Sequence, residues 1–315
     1  MSALYLGFDL GGTNVRTAVA RIEGDDVTLI GRDARATPQT GPGAVVAALV
    51  ASAQAAFGAA AVAGGDIVAA GLSAPGPLDH QTGVILTTQN IAGFTDANFP
   101  LAARVAAGLG GPPVFLDRDT VMAAIGEGIA GAAKGARDFV YITVSTGLGG
   151  AIVSGGRMLR GASNTAGELG HFPVGLGGTM RCRCGGHGCV ESYAAGRNLA
   201  EAYGAAEASV VYAKAAAGDA RAAVLIARAE AALGNLAVGI VNALNPERIV
   251  VGGSIAEHEP SHVLEPMRQA IAERAFKVPA AAVRVVRSAL GGDVSIVGSA
   301  LAARDRAAGK GQWFL

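Results

Sequence analysis

The chain has 315 residues, more than one typical hydrophobic core requires, and this length suits two domains. Its 25 basic and 25 acidic residues give a formal net charge of zero. Neutral charge argues against nucleic-acid binding, because that function needs a clustered excess of lysine and arginine. Hydrophobic residues make up 51% of the sequence and charged residues 16%, so the composition is far from that of a disordered chain.

A long uncharged stretch, residues 36–65, has the length of a membrane span. It consists mostly of alanine and glycine, and alanine favours hydrocarbon only weakly. Its few bulky apolar residues have helical spacing, which predicts an amphipathic surface helix instead. The first residues lack the basic segment of a signal peptide. We therefore expect a cytoplasmic protein without membrane contact.

The first half of the chain predicts alternating strands and helices that open with a hairpin around a glycine-rich turn. The two hairpin strands cover residues 4–8 and 15–22. The later elements are a helix near 42–58, a strand at 67–73, a turn at 75–77, a short strand at 84–86, a helix near 100–109, a strand at 114–116 and a helix at about 120–133. Asp119 stands where a side chain caps the last of these helices.

The second half begins with a similar hairpin, formed by strands at 139–144 and 151–154 around a glycine-rich turn. We interpret the two hairpins as a weak internal repeat of two related domains. The remaining elements are a long glycine-rich loop at 161–190, strands at 248–251 and 283–286, and several helices, the last near 294–308. Strands that alternate with helices indicate an α/β architecture with at least partly parallel sheets.

The turn of the first hairpin reads Asp9-Leu10-Gly11-Gly12-Thr13-Asn14. Successive backbone N–H groups without bulky side chains form a concave array that binds phosphate oxygens, and Asp9 stands where it can hold Mg²⁺. An ordinary tight hairpin turn explains the same residues equally well. The chain has no Gly-x-x-x-x-Gly-Lys-Ser/Thr sequence, and no helix follows the turn. These two facts exclude a Walker A loop and a dinucleotide fingerprint.

The turn of the second hairpin reads Ser145-Thr146-Gly147-Leu148-Gly149-Gly150 and adds the Thr146 hydroxyl. Two such turns in two similar domains can grip a polyphosphate from opposite sides of a cleft, which makes the pair stronger evidence than either turn alone. A third glycine turn, Gly252-Gly253-Ser254, follows the strand at 248–251. It either packs against an adenine or ribose or simply connects a strand to a helix.

All three cysteines lie close together, at Cys182, Cys184 and Cys189. In a reducing compartment this clustering points to a metal rather than to disulfides. With His171 they form a Cys₃His set that suits tetrahedral zinc. His187 is the rival fourth ligand, and three unmetallated thiols are the alternative. Four protein ligands leave no open coordination position, so such a zinc is structural.

Several carboxylates flank this loop or follow a strand. Glu168 lies one turn from His171, and Glu191 follows the last cysteine. Carboxylates near a cleft suit sugar recognition, because each accepts hydrogen bonds from two hydroxyls; solvated surface glutamates are the alternative. Asp117 and Asp119 lie at the carboxyl end of a predicted strand, where ligands usually bind. Asp117 can also be a surface charge, and Asp119 only a helix cap.

Together these motifs resemble the ROK family (repressor, open reading frame, kinase) of sugar kinases and sugar-responsive repressors. The resemblance covers nearly the whole chain. Besides the two hairpin turns, its motifs are Ser73-Ala74-Pro75-Gly76-Pro77-Leu78-Asp79, Gly167-Glu168-Leu169-Gly170-His171 and Cys182-Arg183-Cys184-Gly185-Gly186-His187-Gly188-Cys189-Val190-Glu191. The last two, in this order and spacing, are highly specific to the family.

The resemblance implies a two-domain α/β fold of the actin/hexokinase-like (ribonuclease H-like) type with a cleft between the domains. We expect a smaller domain of residues 1–117, completed by the C-terminal segment 294–315, and a larger domain of residues 118–293 with the zinc loop. The implied activity is an ATP-dependent hexose kinase that uses Mg²⁺ and contains structural Zn²⁺. A homodimer or a dimer of dimers is expected from the family alone.

The family's functional residues can be carried over to matching positions. Asp119 is the expected general base, and Arg118 lies beside it at a position that normally contacts the sugar. The expected sugar-binding residues are Gly76, Pro77, Gln89, Asn90, Arg118, Asp119, Glu168, His171 and Glu191. The expected nucleotide and Mg²⁺ contacts are Asp9, Gly11, Gly12, Thr13, Asn14, Thr146, Gly147 and Gly253. The expected zinc ligands are His171, Cys182, Cys184 and Cys189.

One departure from the family pattern affects substrate choice. The family usually has asparagine where this chain has Arg118 and Val121. The expected substrate is glucose, phosphorylated at O6; N-acetylmannosamine, N-acetylglucosamine, mannose and fructose are alternatives. A sugar-sensing repressor is disfavoured, because the first hairpin begins within the first ten residues, where such repressors carry a DNA-binding domain. A catalytically silent sugar-binding protein is a third possibility.

Overall fold

Regular elements alternate along the chain in the computed structural model, which describes residues 2–88, 91, 93–94, 98–177, 180–311 and 313. The strands are β1 Ala3–Leu10, β2 Asn14–Glu23, β3 Asp26–Ala36, β4 Ile67–Ala74, β5 Leu78–Asp79, β6 Val84–Ile85, β7 Val114–Arg118, β8 Phe139–Val144, β9 Leu148–Ser154, β10 Arg157–Met158, β11 Arg248–Gly252 and β12 Arg284–Arg287. The helices are α1 Pro42–Ala60, α2 Leu101–Leu109, α3 Asp119–Ala130, α4 Val190–Ala194, α5 Gly196–Tyr203, α6 Ala208–Ala216, α7 Ala220–Leu244, α8 Ser254–His258, α9 Pro260–Arg274, α10 Lys277–Ala282 and α11 Val294–Ala307.

The chain divides into two compact units, each built on a mixed five-stranded sheet. The first unit comprises Met1–Gly135, Arg160–Thr165 and Asp293–Leu315, and the second comprises Ala136–Leu159 and Ala166–Gly292. This architecture confirms the predicted α/β fold of two domains, each beginning with a hairpin. The exact domain bounds, residues 1–117 with 294–315 and residues 118–293, stay a prediction.

In the first unit the strand order is β3-β2-β1-β4-β7, in which β1, β4 and β7 are parallel. The register places Asp9 beside Ser73 and Ser73 beside Asp117. The carboxyl ends of the three parallel strands therefore share one edge of the sheet, and α3 begins at that edge directly after β7. The strand order thus gathers polar residues from distant parts of the chain.

Helix α11 packs very closely on this sheet, and glycines make the approach possible. A Cβ on Gly71 would lie 1.9 Å from the backbone oxygen of Ser299, and one on Gly7 would lie 2.3 Å from that of Ile296. The Ser299 hydroxyl also donates to the Phe8 carbonyl at 3.0 Å. The C-terminal helix therefore completes the core of the first unit.

The second unit repeats this plan with the order β10-β9-β8-β11-β12, in which β8, β11 and β12 are parallel. Its core joins the sheet to the long helix α7, which packs against α4, α6 and α9. Asp219 caps α7 by accepting the Ala222 N–H at 2.8 Å. Because β8 and β11 are parallel neighbours, their carboxyl ends lie side by side, and each is followed by a glycine turn.

Two helices, α1 and α7, are long and apolar enough to cross a membrane by length and composition. The most apolar 18-residue stretch of each helix is partly buried inside the protein: 33% of this stretch is buried in α1 and 50% in α7. The core helices of soluble proteins share these properties, so length and composition are weak evidence for a membrane span. Helix α1 matches the predicted amphipathic helix: Val45 and Leu49 are buried in the first unit's core.

The structure differs from the sequence-based expectations at several elements. Strand β3 was not predicted, because the charged residues Arg32, Asp33 and Arg35 fill its second half. Strand β9 begins at Leu148 rather than at residue 151, because Gly149 and Gly150 belong to the strand and not to the turn. Asp119 is the first residue of α3, and Arg118 occupies the cap position.

Candidate active site

Asp9, at the end of β1, is held by two neighbours. Its Oδ2 lies 2.5 Å from Arg16 Nη2 and 3.0 Å from Arg16 Nε, and its Oδ1 accepts the Ser73 hydroxyl at 3.0 Å. The carboxylate is 15% exposed. A partly exposed carboxylate beside a glycine turn can bind a hydrated cation.

The first glycine turn is fixed by side chains that follow β3. Thr37 Oγ1 donates to the Gly11 carbonyl at 2.7 Å, and Gln39 Nε2 donates to the Gly12 carbonyl at 3.0 Å. The Gly11 N–H donates to the Asn14 carbonyl at 2.9 Å. Among the residues that the structure describes, no acceptor takes the N–H of Gly12 or Thr13. These two N–H groups are the donors that the turn can offer to a phosphate.

Asp117 is buried and forms an ion pair, which excludes the alternative that it is a surface charge. It is 1% exposed, and its two oxygens accept from Arg160 Nη1 at 2.8 Å and Nη2 at 2.7 Å. Burial lowers the pKa of Arg306, and the nearby Asp117 carboxylate offsets part of that effect. Sequence reasoning missed Arg160, because no local motif distinguishes it.

Asp119 is exposed at the amino end of α3. Its Oδ1 accepts the Thr120 N–H at 2.7 Å. Strand β7, which precedes it, is two strands from β1 in the same sheet, a separation of about 10 Å. The carboxylate of Asp119 therefore lies near the carboxyl ends of the parallel strands, where β1 ends in Asp9 and the first turn.

Arg118 is buried in the first unit, with only 3% of its surface exposed. Its Cγ and Cδ pack against Gly76, where a Cβ would lie 3.3 Å from Cδ. Pro77 follows, and its carbonyl accepts the Leu86 N–H at 3.1 Å. Gly76, Pro77 and Arg118 thus lie together near the carboxyl ends of β4 and β7. The predicted sugar contacts Gln89 and Asn90 lie outside the described residues.

The second and third glycine turns meet within the second unit. The hydroxyls of Ser145 and Ser254 are 2.9 Å apart, and the Gly196 N–H donates to the Ser145 carbonyl at 2.8 Å. Gly253 has φ +94°, and a Cβ there would lie 2.5 Å from the Val144 carbonyl oxygen. Only glycine allows this close approach of the two strand ends.

A pocket of about 640 Å³ opens beside these turns. It is lined at one end by Ser145, Thr146 and Ser254, and elsewhere by α5, α6 and the chain around Glu259. The Arg197 N–H at the start of α5 donates to the Thr146 carbonyl at 3.2 Å, which fixes the turn. This volume suits a nucleoside-sized ligand, and Gly147 and Gly253 adjoin the same end.

The side chains of His171, Cys182, Cys184 and Cys189 converge in the second unit. Their ligand atoms all lie within 4.8 Å of one another. Cys184 Sγ is 3.7 Å from Cys189 Sγ, and Cys182 Sγ is 3.5 Å from His171 Nδ1. Tetrahedral zinc with ordinary bond lengths requires separations of about 3.8 Å between sulfurs and about 3.6 Å between sulfur and nitrogen. The four residues therefore fit a zinc ion.

The thiols of the cluster repel one another when they are ionised. Burial, followed by the neighbouring Cys182 and Cys184, raises the pKa of Cys189 to about 12, whereas the Gly186 N–H lowers the pKa of Cys184. A divalent cation offsets this mutual repulsion and holds thiolates ionised. His171 belongs to the cluster, and the rival ligand His187 is exposed in the loop outside it.

Two predicted sugar ligands flank this cluster. Glu191, in the first turn of α4, accepts the Leu148 N–H at 3.2 Å through Oε2, and its Oε1 is 4.0 Å from Cys182 Sγ. Glu168 is exposed and immediately precedes the 3₁₀ turn Leu169–His171. The second unit thus brings Glu168, His171 and Glu191 to the metal loop, as expected from their spacing.

The predicted site residues therefore form two groups. The first unit contains Asp9, Gly11, Gly12, Thr13, Asn14, Gly76, Pro77, Arg118 and Asp119. The second unit contains Thr146, Gly147, Glu168, His171, Cys182, Cys184, Cys189, Glu191 and Gly253. Their roles in binding and catalysis stay predictions.

Comparisons of the sequence and of the fold with known proteins all match the same family. Residues 5–306 match the model of the ROK family. The chain is 31% identical over 314 residues to a glucokinase of Halalkalibacterium halodurans, with 93% of each chain covered. It is 35% identical over 259 residues to an N-acetylmannosamine kinase of Citrobacter koseri, covering 79% of this chain and 83% of the relative.

Solved structures of the same family share the fold. A ROK hexokinase from Thermus thermophilus has a TM-score of 0.80 and 34% identity, covering 97% of this chain and 99% of its own. A ROK family glucokinase from Streptomyces griseus in complex with glucose and AMPPNP has a TM-score of 0.77 and 28% identity, covering 96% and 100%.

Proposed function

This chain belongs to the ROK family and is a sugar kinase, and from that premise we propose that it phosphorylates O6 of glucose with ATP, using Asp119 as the general base. The observation that carries this proposal is the position of Asp119. Its exposed carboxylate lies at the start of α3, on the sheet edge where β1 ends in the first glycine turn. A carboxylate so placed can accept a proton from a bound hydroxyl.

In the proposed reaction Asp119 accepts the proton of the sugar hydroxyl as that oxygen attacks the γ-phosphorus in line. Phosphoryl transfer needs little covalent help from the protein, so positioning and charge neutralisation dominate. The N–H groups of Gly12 and Thr13 are the proposed donors to phosphate oxygens. Bound Mg²⁺ neutralises phosphate charge, and Asp9 is the carboxylate proposed to hold it.

We assign the nucleoside to the pocket of the second unit. Its volume of about 640 Å³ suits an adenosine group. Thr146 and Gly147 are then phosphate contacts, since they lie at the end of the pocket formed by the second turn. Gly253 lies beside the nucleoside, because its missing side chain lets the third turn approach.

The Cys₃His cluster is proposed to bind structural zinc. Its four ligand atoms come from protein, so no position remains for water activation. The ion would instead order the loop between His171 and Glu191. Those two residues, with Glu168, are the proposed acceptors for sugar hydroxyls.

Glucose is the proposed substrate because the relatives include glucokinases over nearly the full chain. N-acetylmannosamine is the second candidate, since a kinase for that sugar is 35% identical. These sugars differ at C2, where one has a hydroxyl and the other a bulkier acetamide. We also propose a cytoplasmic homodimer or dimer of dimers, which rests on the family alone.

The test is ADP release measured over a panel of hexoses with wild type and two variants. Asp119→Asn should lower kcat by roughly 10²–10⁴-fold, the usual contribution of a general base. Asp219→Asn is the matched control, because Asp219 also accepts a backbone N–H at a helix start, and its kcat should not change. If Asp119→Asn keeps most sugar-dependent ADP release, the assignment of the base is overturned. A preference for N-acetylmannosamine over glucose would overturn the substrate alone.

A further inference from the structure

A buried ion pair in the first unit lies next to the proposed base and takes no part in the reaction described so far. Arg160 and Asp117 form two parallel hydrogen bonds of 2.8 and 2.7 Å, with side chains 9% and 1% exposed. Paired bonds of this kind fix the plane of the guanidinium as well as its distance. The pair therefore determines where the Asp117 carboxylate lies.

Asp117 in turn fixes the backbone that leads to the proposed base. Its Oδ1 accepts the N–H of Arg118 at 2.8 Å, in addition to the bond from Arg160. Arg118 ends β7, and Asp119 is the first residue of α3. The Asp117 carboxylate thus stabilises the backbone at the junction between β7 and α3, where Asp119 lies.

The guanidinium of Arg160 is itself oriented by a residue near the end of the chain. Its Nη2 donates to the backbone carbonyl of Trp313 at 2.8 Å, and Trp313 is 5% exposed. Its Nη1 also donates to Asn164 Oδ1 at 3.2 Å, and Asn164 Nδ2 donates to the Leu78 carbonyl at 3.1 Å. Arg160 is therefore held by three groups from separate parts of the first unit.

We propose that Arg160, held by the Trp313 carbonyl, is a positioning residue for Asp119, so that the C-terminal segment takes part in catalysis. This inference rests on the proposed function, since it assumes Asp119 as the base. The connection runs from Trp313 through Arg160 and Asp117 to the backbone N–H beside Asp119. A reacting carboxylate displaced by about 1 Å can cost roughly 10²-fold in rate.

A purely structural role is the competing explanation, and the chain offers a matched control for it. Arg304 and Asp305 form another poorly exposed ion pair in the first unit, with side chains 13% and 3% exposed and an Nη2–Oδ1 distance of 2.7 Å. This pair lies within α11 and contacts neither β7 nor α3 through a described hydrogen bond. Its loss should lower stability without moving Asp119.

The experiment measures the melting temperature of four variants. It also measures their kcat and their KM for ATP, at a temperature well below the melting temperature of each variant. Arg160→Met and deletion of residues 312–315 should each lower kcat roughly 10–100-fold with the KM for ATP within about twofold. Arg160→Lys, which keeps the buried charge, should recover part of the lost kcat. Arg304→Met should lower the melting temperature with kcat unchanged.

The two losses should also be non-additive, because the deletion acts through Arg160. A doubly altered chain should then be no slower than Arg160→Met alone. A wild-type kcat in Arg160→Met or in the deletion variant would overturn the inference, as would a kcat in Arg304→Met reduced as much as in Arg160→Met. Asp119→Asn in the same series separates the two proposals, since full activity in that variant refutes the base and not only its positioning.

Discussion

Glu191 accepts a hydrogen bond from the backbone N–H of Leu148 at 3.2 Å. Leu148 is the first residue of β9, directly after the second glycine turn, whereas Glu191 follows the last cysteine. The other Glu191 oxygen is 4.0 Å from Cys182 Sγ. One carboxylate therefore links the metal loop to the turn proposed to contact phosphate.

Glu191→Gln tests whether this carboxylate also binds the sugar. Glutamine has the same shape and can still accept the Leu148 N–H, so the fold should be kept. A charged acceptor contributes about 1.5–3 kcal/mol to a hydrogen bond, and we expect the KM for the sugar to rise roughly 10–100-fold. Steady-state kinetics with sugar and ATP varied separately measure this change.

Glu265→Gln is the control, because Glu265 is an exposed glutamate that pairs with Arg268 three residues away. It should leave both KM values unchanged. An unchanged sugar KM in Glu191→Gln would refute the sugar contact and leave Glu191 as a structural link.

Two histidines of the metal loop should differ in their effect on zinc content. His171→Gln removes a ligand from the Cys₃His cluster and should reduce bound zinc from about one ion per chain to a small fraction. It should also lower the melting temperature, because metal binding stabilises the folded loop. His187→Gln is the control, since His187 is exposed outside the cluster, and it should keep its zinc. Elemental analysis of purified protein decides between the two ligands; zinc lost only from His187→Gln would reverse the assignment.

The metal cluster could be predicted from the sequence because its cysteines are close together in the chain. Cys182, Cys184 and Cys189 lie on one short loop, and their spacing alone limits where their sulfurs can be. The two hairpins could also be predicted from the sequence, since each has a local glycine turn between apolar strands. In both cases the physical constraint acts over a few residues.

The surroundings of Asp119 could not be predicted, because they depend on contacts between distant segments. Arg160 pairs with Asp117 across 43 residues, and with the Trp313 carbonyl across 153. No pattern in the sequence indicates that these groups meet. Strand β3 was missed for a related reason: its charged residues are accommodated by partners such as Ser52 and Asp293 from other elements.

Gly253→Ala should weaken both folding and nucleotide binding. The position has φ +94°, and a Cβ would lie 2.5 Å from the Val144 carbonyl oxygen. The strain should cost about 1–3 kcal/mol of unfolding free energy, and the displaced turn should raise the KM for ATP. Gly111→Ala is the control, because a Cβ there has nothing within 4 Å, and its stability should hardly change. Denaturant unfolding and ATP-dependent kinetics measure the two effects; equal behaviour of both variants would contradict the close approach of the turns.

Asp9→Asn should raise the Mg²⁺ concentration needed for half-maximal activity roughly tenfold or more, because an amide oxygen without charge attracts a divalent cation more weakly. Asp33 provides a closely matched control in the same sheet. Each aspartate pairs with one arginine and accepts one serine hydroxyl, Arg16 and Ser73 for Asp9 and Arg35 and Ser52 for Asp33. Asp33→Asn therefore removes the same kind of ion pair and hydrogen bond away from the glycine turn.

The comparison separates a role in metal binding from a role in folding. If Asp9 only stabilises the sheet, both variants should melt at lower temperature and show the same Mg²⁺ dependence as wild type. If Asp9 holds the cation, only Asp9→Asn should shift the Mg²⁺ titration, and excess Mg²⁺ should restore part of its kcat. Titrations of activity against Mg²⁺ at saturating sugar distinguish these outcomes. Because Arg16 pairs with Asp9, a cation must displace the guanidinium or share the carboxylate with it.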